Sequence, residues 1–148
     1  MKAKSGFTLV EILIVVVILG ILAAVVIPQF SEASTEAKTS SLCTDLQTVR
    51  SQIELYKIQH NDVLPQPEAA GTWNRLTQYT DIAGEAQAAK DATHIYGPYL
   101  QKVPTNSFNN LGTVRTGGAA AGANTHGWVF NATTGAFQAD DTAAHGAL

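Results

Sequence analysis

Cysteine occurs once in this chain, as Cys43, so no internal disulfide can staple it. Its folded part must hold together by packing, and Cys43 is expected as a small buried apolar side chain rather than a reactive thiol. Charge is sparse too. Only 14% of residues are charged and the formal net charge is -3, which removes the basic footprint of a nucleic-acid binder. The histidines, His60, His94, His126 and His145, are scattered and read as surface residues, so together with a lone cysteine they form no zinc pattern. A phosphate loop and a nucleophile motif are both missing, and Gly117-Gly118 has no lysine close by. Asn131-Ala132-Thr133 fits a glycosylation sequon, but an asparagine opening a turn explains it better. The expectation is a protein with no catalytic role and no cofactor. At 148 residues, 45% of them apolar, it has the material for one domain with a modest core.

The apolar residues are concentrated near the N-terminus. Ile12 to Ile27 form sixteen consecutive residues without a charge or a hydrogen-bonding side chain, and from Phe7 only Thr8 and Glu11 interrupt the run. A helix of that length, at about 1.5 Å per residue, matches a hydrocarbon core of about 30 Å. Lys2 and Lys4 precede it while Glu32 and Glu36 follow, so the positive-inside rule puts residues 1 to 6 in the cytoplasm and the chain beyond Pro28 outside. A secretory signal cut near Ala23-Ala24 would discard Glu11 and leave it without a reason. A plain signal anchor would tolerate it near the interface.

Lys4-Ser5-Gly6 followed by Phe7-Thr8-Leu9-Val10-Glu11 resembles the class III leader junction of type IV pilins and of type II secretion pseudopilins. The likeness continues through "ILIVVVILGILAAVVIPQF", with Gly20 and Pro28 at the family's usual spacing, and is most like a major pseudopilin. The resemblance implies cleavage between Gly6 and Phe7 by a prepilin peptidase and N-methylation of Phe7. It implies a helical filament of identical subunits, assembled from an inner-membrane platform with minor pilins or pseudopilins. It also implies a lipid-embedded N-terminal helix and a domain in the periplasm or on the cell surface.

A carboxylate in the bilayer costs about 2.5–3.5 kcal/mol, so Glu11 needs a partner or a task. Cleavage after Gly6 would place a protonated amine on Phe7, one helical turn away. Glu11 can then offset its own helix N-terminus, for about 0.3–1 kcal/mol. In the family's manner it can instead accept from the Phe7 amine of an adjacent subunit. Lipid solvates leucine as well as another helix does, so apolar packing sets axial offset poorly, whereas a buried ion pair specifies it without adding net stability.

Beyond Pro28 the apolar positions become periodic: Phe30, Ala33 and Ala37, then Leu42, Leu46, Val49, Ile53 and Tyr56. The second group is spaced 4, 3, 4, 3, one face of a helix. Asn61, Asp62 and Pro65 are stop signals, so one helix from about Phe7 to His60 is expected. Pro28 lacks an N–H and Gly20 adds flexibility, which reads as a fixed kink. The resemblance adds that the stretch between them can lose helicity on assembly.

The remaining residues read as a small mixed region. Thr72 is expected to cap a short helix bearing Trp73, Leu76, Tyr79 and Ile82. Residues 83–94 are ambiguous, and "TGGAAAGAN", Thr116 to Asn124, is expected to be a mobile loop that packs little. "HGWVFNATTGAFQAD" reads as a hairpin with Trp128 and Phe130 on one face, a turn over Asn131 to Gly135, and Phe137 in the return strand. Leu111 to Arg115 offers a third strand. Asp140 and Asp141 read as a solvated acidic pair, although the resemblance to major pseudopilins allows them calcium, without the family's full calcium loop.

The expected architecture is α+β: a leader over 1–6, a transmembrane and assembly helix over 7–28, its amphipathic half over 29–61, and an antiparallel sheet region over 62–148 packed on that half. A type II secretion pseudopilin that moves folded cargo is favoured by the modest length and the lack of a C-terminal cysteine pair. A surface type IV pilin for adhesion, motility or DNA uptake is the alternative within the family, and a membrane-anchored binding domain that never polymerises is the alternative outside it.

Overall fold

The computed structural model describes residues 6–68, 72–117 and 120–148. Of the leader expected over residues 1–6, positions 1–5 lie outside the described residues. The chain divides into two compact units, Met1–Ala37 and Lys38–Leu148, and helix α1, Leu9–Gln59, contributes to both.

The N-terminal unit is helical from Leu9 onward, and every residue from Gly6 to Lys38 is exposed. That exposure includes Phe30, at 78%, together with Ala33 and Ala37, so the three do not join the buried stripe expected of them. They match its spacing only loosely, and burial begins at Leu42. α1 runs through Gly20 and Pro28 as one continuous helix.

In the second unit the stripe of Leu42, Leu46, Val49, Ile53 and Tyr56 is fully buried, as its spacing predicts. Helix α1 stops where Asn61 and Asp62 take left-handed backbone angles, φ 53° and 63°. The Asp62 N–H returns to the Lys57 carbonyl at 2.9 Å, satisfying an acceptor that the helix end leaves open.

Opposite the stripe lies a three-stranded sheet of β3 (Val114–Thr116), β4 (Trp128–Phe130) and β5 (Phe137–Ala139), ordered β3-β4-β5. β4 and β5 form the expected antiparallel hairpin, pairing Trp128 with Ala139 and Phe130 with Phe137. The third strand begins at Val114 and lies parallel to β4, with Arg115 beside Val129, so the sheet is mixed rather than wholly antiparallel. Because residues alternate across a strand, Val114, Trp128, Phe130, Phe137 and Ala139 meet the α1 stripe in one core with Trp73 and Leu76. Both tryptophans satisfy their indole N–H, Trp73 on the Pro65 carbonyl at 2.7 Å and Trp128 on the Pro104 carbonyl at 2.8 Å.

The helix expected from Thr72 is a single turn, α2, Asn74–Thr77. Glu68 accepts the Asn74 N–H at 2.7 Å and so supplies the cap. Tyr79 instead enters β1 (Tyr79–Thr80), which pairs antiparallel with β2 (Ala86–Gln87) in the ambiguous stretch, and Ile82 is half exposed. Spacing by threes over ten residues does not separate a helix from a turn leading into a strand.

Candidate functional site

Thr8 closes the N-terminal end of α1. Its hydroxyl oxygen accepts the Glu11 backbone N–H at 3.2 Å, and one Glu11 carboxylate oxygen accepts the Thr8 backbone N–H and hydroxyl, each at 3.3 Å. This reciprocal Thr-x-x-Glu box satisfies donors that a helix start otherwise leaves open. Of the two pairings open to Glu11, its own helix end is therefore formed within the chain. Sequence reasoning missed this pairing of Glu11 with Thr8; the signal it passed over is their spacing of three ahead of an apolar run. Gly6 and Phe7 precede the first helical turn, and Phe7 is 82% exposed.

From Ile12 to Ile27 this helix is apolar on all sides, and Val15 to Leu19 are each at least half exposed. A helix without a polar face is one that water does not suit. By length and composition it is able to cross a membrane.

The acidic pair near the C-terminus is not solvated. Asp140 is fully buried and Asp141 nearly so. Arg115 donates from Nε to Asp140 Oδ2 at 2.8 Å and from Nη2 to Oδ1 at 2.7 Å. The Gly122 and Ala123 N–H groups reach Oδ1 at 3.1 and 3.2 Å. Asp141 accepts from Asn106 Nδ2 at 2.9 Å and pairs with His145 Nδ1. A calcium site needs about six to eight oxygen ligands, whereas these carboxylates are surrounded by hydrogen-bond donors. The residues present do not fit that ion. Among the described residues, no group of three or more histidine, cysteine or acidic side chains comes together.

The loop between β3 and β4 is tied down more than its composition suggests. Arg115 also reaches the Ala120 carbonyl at 2.8 Å, and the Asn124 N–H reaches the Asp140 carbonyl at 2.6 Å. Gly118 and Ala119, within it, lie outside the described residues.

His60 is a core residue, not a surface one. It stacks on Tyr56 at 3.8 Å between ring centroids, with Nδ1 at 2.9 Å from the Tyr56 carbonyl and Nε2 at 3.0 Å from Thr80 Oγ1. The signal lay in its place four residues beyond Tyr56, which continues the buried stripe. Tyr99, edge-on to Tyr56, donates to Gln59 at 2.7 Å, and burial pushes its hydroxyl up to about 12. Cys43 is half-buried rather than buried, lining a cleft of about 150 Å³ with Leu46, Gln47, Arg50 and Leu148. Arg50 spans from the helix to the Phe137 and Leu148 carbonyls, both at 3.0 Å, contacts that periodicity alone does not reveal.

Residues 1–27 match the family described as the prokaryotic N-terminal methylation motif. The type II secretion system core protein G of Pseudomonas aeruginosa is 42% identical over 109 residues, covering 74% of this chain and 71% of its own length. The chain belongs to the core protein G family of type II secretion pseudopilins. A second member, from Aeromonas hydrophila, is 28% identical to this pseudopilin over the same shares of both chains. A fimbrial protein of Pseudomonas aeruginosa is 33% identical over 64 residues, covering 43% of the pseudopilin and 42% of itself. No solved structure matches the pseudopilin significantly.

Proposed function

We propose that this pseudopilin is a structural subunit of a periplasmic, pilus-like filament that moves folded cargo outward. Prepilin peptidase cuts between Gly6 and Phe7 and methylates the Phe7 amine, and the helix anchors the subunit in the inner membrane until assembly. On docking, Glu11 exchanges its Thr8 partners for the Phe7 amine of a neighbouring subunit. Gly20 and Pro28 let the helix between them extend. The observation that carries this reading is a carboxylate, held among the described residues by its own first turn, at the head of an apolar helix exposed on every side. An exposed face of that kind has two stable surroundings, lipid and other such helices.

The secretory use is favoured over a surface fibre by the reach of the likeness, 109 residues to core protein G against 64 to the fimbrial protein. Glu11→Val tests the assembly step. Mass spectrometry of the mature N-terminus is expected to find methylated Phe7 in variant and wild type alike, while filaments sheared from cells are lost in the variant. Unchanged filament yield and subunit order in Glu11→Val would overturn the role given to the carboxylate.

A further inference from the structure

We infer that Arg115 serves this pseudopilin as a built-in cation, closing the loop between β3 and β4 onto Asp140, so that the fold takes no divalent metal there. A bound metal would join a carboxylate to loop carbonyls through one positive centre. The Arg115 guanidinium does the same with three contacts, to both oxygens of Asp140 and to the Ala120 carbonyl. Its planar fork suits a bidentate carboxylate, and such charge-assisted bonds are among the stronger ones in proteins.

The rest of the cradle is built for an anion. Gly122 and Ala123 turn successive N–H groups onto Asp140 Oδ1. Gly122 does so at φ +99°, pressed so closely on the backbone of Thr142 and Ala143 that a Cβ there would collide with it. Every partner of the Asp140 carboxylate is thus a donor, which a calcium ion would have to displace while finding most of its oxygen ligands elsewhere. Asp141 offers no second ligand, because Asn106 and His145 engage its two oxygens. The Arg115 side chain is 13% exposed and Asp140 is wholly buried, which limits water as a competitor for the pair.

The test follows thermal unfolding of the full mature chain in detergent, read by the fluorescence of the buried Trp73 and Trp128. The wild type is expected to melt at one temperature in millimolar calcium and in excess chelator. Arg115→Gln is expected to melt several degrees lower in both, with Arg115→Lys, which keeps the charge but not the fork, in between. A drop in the wild-type transition on chelation, saturable calcium uptake in a calorimetric titration, or an Arg115→Gln loss restored by calcium would each overturn the inference. If Arg115→Gln fails to fold, Arg115→Lys and the wild-type comparison decide it.

Discussion

At Asp140 two influences oppose one another. Burial pushes its carboxyl up, while the hydrogen bond and charge of Arg115, with the Ala123 and Gly122 N–H groups, together outweigh it and hold the group below the usual carboxylate range. A folded-state value below the unfolded one stabilises the fold at pH above the unfolded value, about 3.9, and that contribution fades as pH falls through the folded value. Asp140→Asn is therefore expected to melt well below wild type at neutral pH, by an equivalent of about 3–5 kcal/mol, since it strands a nearly buried guanidinium. The gap should narrow in acid below about pH 4, as fluorescence melts across a pH series would record. Asp45 shifts the other way, raised by burial, and so contributes in the opposite sense. Neither Arg115 nor Asp140 could be paired from the sequence. Arg115 is on β3, whose parallel place beside β4 is a long-range choice, and nothing in the letters near either residue records it.

The elements divide by the kind of pattern that made them. The helix stripe and the hairpin were legible because each rests on local periodicity, 4, 3, 4, 3 in α1 and alternation in Trp128, Val129, Phe130. α2 and β1 were not, because a cap from Glu68 and a strand of two residues leave too short a pattern. Leu46→Ala is expected to destabilise the folded domain by about 2–5 kcal/mol, since it empties a fully buried site, as denaturant unfolding in detergent would measure. Phe30→Ala, at an exposed site in the same helix, is expected to leave that transition in place. Close backbone approach gives a further outcome. A Cβ at Gly127 would run into the Leu111 carbonyl, so Gly127→Ala is expected to lower the midpoint of the same transition or to displace the turn around Asn106.

For the molecule as a whole, the family was legible at the N-terminus, where chemistry is written in consecutive residues. Gly6, Phe7 and Glu11 are near neighbours in sequence, and the apolar run after them needs no tertiary contact to be recognised. What the structure adds is that Glu11 already has a partner, Thr8, within its own chain. Membranes from cells making the protein are expected to retain it through an alkaline carbonate wash, as immunoblotting of pellet and supernatant would show. Release of the chain into the supernatant would contradict a spanning helix.

The nakedness of the segment from Leu9 to Phe30 also restricts how subunits can travel. Each large apolar side chain moved from a nonpolar setting into water costs on the order of 1.5–3 kcal/mol, so more than a dozen together forbid a dissolved pool of monomers. In the filament proposed above, each subunit would then pass directly from bilayer to fibre base, with no step in water between them.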